Sequence, residues 1–422
     1  MPKSLKKIFD KIFNRDNINN LVVKQTDFTR HNKLTFEAVV FKILHSFQDS
    51  VDFNLCTFLP QLNIPAITAG AFSIARYKLK IELFLGLNRE LNQLIENLPT
   101  KLWKGFRLIA GDGTTVNLPV SESTINHFGL FRDSKNGGKT VMANACMLYD
   151  LLTDYVLSAD IAPFCEGEKT IMKRLLNETK FSNSIALFDR GFSAFYFIKH
   201  LVNNDLNFCI RLNSRISNFG KDAMRNPSND FIIEWSPSEA EQHTCRKMGV
   251  DVAPLDVRIT KVTLPSGEVE VLVSNLTDMN RFSLDDLAEL YQLRWAVEEG
   301  YKKLKPKMKL EQFGCKKYEG IYQEFFAHIF MMNLTTLIGN QAQEAIELST
   351  RKRKFGYKYN WINAYKFLKH SFVELIQAND IEMVIMKIIT SIKKSIVAIV
   401  PNRRFVRQTQ SIKKHRFSPM YK

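Results

Sequence analysis

The sequence predicts an α/β protein: a mixed sheet flanked by helices, interrupted by a β-rich insertion, with helical regions at both ends. Three observations lead to that class. Apolar residues recur at three- and four-residue intervals over the first hundred residues. From Trp103 onward, short β-branched and aromatic runs with turns between them take over. Helical and strand patterns then alternate, as in a sheet covered by helices.

Residues 1–100 read as a helical, DNA-binding N-terminal region. TFEAVVFKILHSFQ and KIELFLGLNRELNQLIENL carry the helical spacing. Between them, PAITAGAFSIARYKLK offers Thr68 as an N-cap, followed by a helix bearing Arg76, Lys78 and Lys80. Two readings fit that stretch: the second helix of a helix-turn-helix on DNA, or a surface helix with solvated lysines. Next come three consecutive strands, FRLIAGDGTTVNLP, ANACMLYD and DYVLSADIAP. EKTIMKRLLNE is a helix, SIALFDRGF a buried strand, SAFYFIKHLVNND a helix and NFCIRLN a further strand. The central α/β region therefore spans 101–212 and resumes at 279–330. Residues 213–278 form the β-rich insertion, with FIIEW and a hairpin, VRITKVTLPSGEVEVLVSN, around Pro-Ser-Gly. SLDDLAELYQLRWAVEEGYKKLK returns to a helix, which Pro306 ends or bends. Residues 331–422 read as helical and basic. They include RKRKFGYKY and an acid-free tail, PNRRFVRQTQSIKKHRF, suited to touching DNA or a partner protomer or to solvation as a disordered tail.

Composition narrows the function. Fifty-nine lysines and arginines against forty-three acids leave a net charge of +16. That excess favours a polyanionic partner, nucleic acid first and an anionic membrane surface second. The start, MPKSLKKIFDKIFNR, has no uninterrupted apolar core and no small-residue cleavage site. FFAHIFMMNLTTLIG, the most apolar later stretch, contains His328 and Asn333 and is too short to span a bilayer. A soluble, cytoplasmic protein without a membrane partner is expected. The six cysteines are dispersed, with no CxxC pair and no histidine at zinc-ligand spacing, and read as reduced, mostly buried thiols.

Three acids stand out. On a continuous helix, Tyr291, Arg294, Glu298 and Lys305 fall at about 0°, 300°, 340° and 320°, one narrow stripe, whereas Glu299 points about 100° away from Glu298. Taken alone, that stripe also fits a surface ion-pair ladder. Asp112, in LIAGDGTTV, follows an apolar run between glycines, and Asp189, in SIALFDRGF, closes a buried strand. Turn chemistry or helix capping accounts for either aspartate by itself. Jointly, acids at two strand ends and on a downstream helix can converge at one sheet edge. Such a set suits Mg²⁺, which prefers carboxylate oxygens, and two ions roughly 3.5–4 Å apart suit phosphodiester displacement. His127, in INHFGLFR, reads as a structural loop histidine, and Glu166 and Glu168, in FCEGEKT, as the start of the following helix.

Over residues 100–330 the chain resembles a family. Tyr291-x2-Arg294-x3-Glu298-x6-Lys305 matches the Tyr-Arg-Glu-Lys signature of bacterial insertion-sequence transposases of the DDE type. GDGTTVNLP around Asp112 and FDRGF around Asp189 are similar to that family's first two acidic motifs. The resemblance implies a ribonuclease-H-like core in which Asp112, Asp189 and Glu298 are catalytic and bind two Mg²⁺ ions, with Mn²⁺ as a substitute. It implies that Tyr291, Arg294 and Lys305 contact DNA phosphates. It further implies cut-and-paste transposition on double-stranded DNA, namely terminal inverted repeats and target, by a homodimeric synaptic complex in the bacterial cytoplasm, associated with the nucleoid when on DNA. Relatives stack a flipped base on an insertion tryptophan. SGEVEVLVSN has none and Trp235 comes earlier, so that role falls to no residue. A ribonuclease-H-fold nuclease without strand transfer, and a non-catalytic DNA-binding derivative, are the alternatives. Intact acids argue against the latter, since bare carboxylates repel the DNA backbone.

Overall fold

In the computed structural model, residues 2–29, 33–45, 50–65, 67–133, 138–264 and 266–400 are described. The acid-free tail from Pro401, and Pro265 in the predicted hairpin turn, lie outside them. The chain divides into two compact units, one of Thr100–Thr114 and Asn144–Tyr301, the other of Met1–Pro99, Thr115–Ala143 and Lys302–Lys422.

Among the described residues, nine strands join one sheet: β1 (Arg107–Leu118), β2 (Arg132–Asp133), β3 (Lys139–Asp150), β4 (Val156–Pro163), β5 (Ser184–Phe188), β6 (Asn207–Arg211), β7 (Asp230–Trp235), β8 (Leu255–Thr263) and β9 (Val269–Ser274). The order is β2-β3-β1-β5-β6-β9-β8-β7, with β4 also paired to β3. β1, β5 and β6 run parallel, and β6, β9, β8 and β7 alternate antiparallel. A three-strand meander followed by two parallel strands, with helices Glu168–Glu178 and Phe195–Asn203 as crossovers, is the ribonuclease-H-like arrangement. β5 is buried along its whole length, as a strand covered on both faces must be.

The predicted insertion is β-rich. Its strands β7 to β9 extend the same sheet, and it also holds two helices, Asn218–Arg225 and Glu239–Lys247, that the periodicity did not reveal. They are only eight and nine residues long, too few turns for a helical period to register. Trp235 is 1% exposed and stacks on Phe219, with ring centroids 4.1 Å apart. It is a core residue with no face for a base.

In the other unit, the helix Tyr318–Thr350 contains FFAHIFMMNLTTLIG and is buried nearly all round in its N-terminal two thirds. A helix apolar on every side belongs inside a protein core or a membrane. Here helices Phe36–His45, Glu82–Glu96 and Ile381–Lys393 pack against it. Among the described residues no helix is long and apolar enough to cross a membrane. His328 faces the carbonyls of Glu324 and Met308, and burial lowers its pKa. RKRKFGYKY is not helical: Gly356–Tyr359 pairs antiparallel with Ile396–Ile399.

Arg76 corrects the N-terminal reading. Thr68 does cap the helix Ala69–Arg76, accepting a hydrogen bond from the Ala71 amide. That helix stops at Arg76, however, and the guanidinium is buried on Glu324 at 2.7 Å. Lys78 and Lys80 lie beyond the helix end, on Asp27 and the Asn20 carbonyl. The three cations therefore form neither a DNA-facing row nor a solvated helix face.

Candidate active site

Register brings the first two acids together. β1 pairs parallel with β5 so that Ala110 stands opposite Leu187. Asp112, expected at a strand end, lies inside β1, which runs on to Leu118, and Asp189 follows Phe188, the last residue of β5. The flanking glycines make room. A Cβ on Gly111 would lie 2.1 Å from the Phe188 ring, and one on Gly113 would lie 2.5 Å from the Glu168 carboxyl oxygen. Asp189 caps the turn Arg190–Phe192, its Oδ1 accepting from the Gly191 amide at 2.8 Å.

The helix expected to carry Tyr291, Arg294, Glu298 and Lys305 is not continuous. Leu284–Leu293 and Ala296–Lys302 are separate helices, and a π-turn covers Lys303–Lys307. At the joint, the amides of Arg294, Trp295, Val297 and Glu298 each bond the carbonyl three residues back. These tight turns change the angular progression, so the single stripe does not exist as drawn. Arg294 and Glu298 remain neighbours: Nη2 of Arg294 donates to Oε1 of Glu298 at 3.3 Å. Glu298 is partly exposed and Glu299 is exposed.

Tyr291 is 4% exposed, with the Arg294 guanidinium 5.7 Å from its ring centroid. Burial raises the pKa of its phenol, and its place is beneath Arg294 rather than on an open surface. Lys305 belongs to the other unit, where it donates to the Thr115 carbonyl at 2.7 Å and lies 3.5 Å from Glu311. His127 also lies in that unit, stacked on Tyr318 with ring centroids 4.2 Å apart.

Three residues near the acids received no site role from the sequence. The Tyr301 hydroxyl donates to the Asp112 carbonyl at 2.7 Å and lies 3.2 Å from the Ala145 carbonyl, tying the Glu298 helix to β1 and β3. Trp295, 49% exposed, offers an indole beside Arg294 on which a base can stack. Glu168 is the third. The polar tip of Tyr301 finds its partners only in the fold, and FCEGEKT signals no more for Glu168 than the start of a helix.

Electrostatics mark Asp112 out. Burial, with added repulsion from Asp189 and Glu168, lifts its pKa to about 7, although the Gly113 amide and Arg294 pull the other way. Burial and Asp189 raise Glu168 as well. As the side chains stand, no three acids among the described residues close on one point that could hold a metal. Arg294 engages Glu298, and Asp189 is turned onto Gly191. The donor chemistry still fits a hard divalent cation: oxygen-only donors, a half-buried carboxylate crowded by like charge, and a glycine whose missing side chain admits another carboxylate.

This strain has a measurable consequence without metal. Between pH 4 and about 7 the folded state holds a proton on Asp112 that the unfolded chain has released, so stability falls as pH rises through that window and levels off above it. Asp112→Asn should remove that slope and raise the unfolding free energy at pH 8 by on the order of 2–4 kcal/mol. Urea titrations of both proteins at pH 5 and pH 8 with chelator check this; no gain at pH 8 would contradict it.

Neighbouring parallel strands thus carry Asp112 and Asp189, and Arg294 holds Glu298. Residues 103–334 match the transposase DDE domain, and the chain belongs to that family. It is 24% identical over 284 residues to the transposase InsG of insertion sequence element IS4 from Escherichia coli K12, an alignment over 64% of this chain that spans 61% of that protein's length. The piggyBac transposase synaptic complex with hairpin DNA superposes with a TM-score of 0.48 at 12% identity, covering 98% of this chain and 88% of the other.

Proposed function

We propose that this protein is a DNA transposase that cleaves the terminal inverted repeats of an insertion sequence and joins them to target DNA. One observation supports the reading: within a transposase DDE domain, Asp112 of β1 and Asp189 just after β5 come from neighbouring parallel strands. Asp112, Asp189 and Glu298 would hold two Mg²⁺ ions, or Mn²⁺ in their place. The bound metals would supply Lewis-acid activation of the attacking oxygen and stabilisation of the leaving one.

The chain's own residues do the positioning. Arg294 is a bidentate donor held next to Glu298, so phosphate entering the site competes with that carboxylate for the guanidinium. Tyr291, packed beneath, limits the directions Arg294 can take. Tyr301 anchors the Asp112 backbone through its carbonyl. Lys305 contributes a point charge toward DNA phosphate. The net charge of +16 draws the protein to duplex DNA. Two copies act together in a synaptic homodimer, and the site of action is the cytoplasm.

The test is the product. Purified protein, a labelled terminal repeat, supercoiled target and Mg²⁺ should yield joined products, with hairpin or free 3′-hydroxyl ends as precursors. Nicks without joining under any ratio of target would replace this reading with that of a nuclease.

A further inference from the structure

Helix Glu168–Glu178 begins at the site, and its first residue has an unusual position. Gly167 is the N-cap and supplies no side-chain cap. The Glu168 carboxylate makes no hydrogen bond or ion pair among the described residues, unlike Glu166 nearby, which holds Arg174 at 2.6 Å. It lies instead against the backbone at Gly113, next to Asp112. A Cβ at that glycine would come within 2.5 Å of both Cδ and Oε1 of Glu168, and within 2.8 Å of Cγ. Any other residue at 113 would evict the carboxylate.

A helix-starting glutamate normally turns toward the free amides of its first turn or into solvent. This one packs where the charges of Asp112 and Asp189 already repel it. In the absence of a cation that position is unfavourable, and the basic side chains nearest the site offset it only in part: Arg294 is on Glu298, and Lys169, the chain neighbour of Glu168, does not outweigh burial and Asp189. What makes the position useful is a divalent ion, whose oxygen ligands come mainly from carboxylates.

We propose that Glu168 is a fourth carboxylate ligand of the metal site formed by Asp112 and Asp189, and that Gly113 is a glycine because its space is Glu168's. The inference rests on the metal-dependent reading given above. Glu298 and Glu168 then approach from different helices, so that four acids from β1, β5 and two helices serve two ions.

Mn²⁺ binding to the full chain, followed by electron paramagnetic resonance of the free ion, tests this without reference to activity. Asp112→Asn should abolish the tighter site. Glu168→Gln should weaken Mn²⁺ binding by about tenfold or more, and Gly113→Ala should weaken it in the same direction by displacing the carboxylate. Glu166→Gln, on the neighbouring ion pair, should leave it unchanged. Circular dichroism and thermal melts of each variant with chelator establish that the fold persists. If Asp112→Asn and Asp189→Asn both weaken binding while Glu168→Gln matches the parent, the fourth-ligand proposal is overturned and the site reading stands. If neither aspartate variant changes binding, the site reading itself is overturned.

Discussion

Asp189→Asn or Glu298→Gln should lower Mg²⁺-dependent cleavage of a terminal repeat by at least about a hundred- to a thousandfold, the scale on which removing one charge-stabilising group acts. Both substitutions are close to isosteric and keep local hydrogen bonds. The amide oxygen that Asp189→Asn introduces can still accept from Gly191, so the turn Arg190–Phe192 keeps its cap. The one that Glu298→Gln introduces can still accept from Arg294. Each variant therefore loses negative charge and little else, and its unfolding free energy should stay within about 1 kcal/mol of the parent. DNA binding measured without divalent metal should be equal or tighter, because one repulsive charge is gone. A variant that cleaves at the parental rate would remove its residue from the catalytic set.

Arg76→Ala should destabilise its unit by about 3–5 kcal/mol, the effect of leaving one partner of a buried ion pair uncompensated. The guanidinium and Glu324 have side-chain exposures of 3% and 8%. Nε of Arg76 also donates to Gln323, and Gln323 in turn donates to the carbonyls of Arg76 and Leu79. Oε2 of Glu324 accepts from the Gly314 amide. Removing Arg76 thus strands a buried carboxylate and loosens the clasp between the helix Ala69–Arg76 and the helix Tyr318–Thr350. Denaturant titration measures the loss. Combining Arg76→Met with Glu324→Leu should recover most of it, since an apolar pair of similar volume replaces an ion pair with little net change. A single variant as stable as the parent, or a double variant no better than the single, would show that the pair does not act as a unit.

Much of the central α/β core was legible in the chain because its signals are local. A strand covered on both faces must be a continuous apolar run, so SIALF announces itself. EKTIMKRLLNE shows its apolar stripe, and its predicted limits match the helix Glu168–Glu178. Asp112 and Asp189 were readable as acids at the ends of such runs. Glu298 was separable from Glu299 because a single residue step along a helix turns the side chain by about 100°, and that holds over the few residues concerned.

Other features depend on tertiary contacts that leave no trace in spacing. The angular stripe through Lys305 failed since tight turns at Arg294–Trp295 and a π-turn at Lys303–Lys307 reset the helical phase, and periodicity assumes a constant one. Arg76 looked like a surface cation because nothing local reveals Glu324, 248 residues away. Glu168 read as a helix start, which it is; its approach to Gly113 was invisible since no sequence pattern couples a helix N-terminus to one residue of a distant strand. The sequence alone, then, determined the kinds of element and the acids that follow their apolar runs, because burial and backbone geometry act within a few residues. Which acids meet, and which cations are buried or left to hold them, was decided by strand register and packing, where residues far apart in the chain share one low-dielectric space.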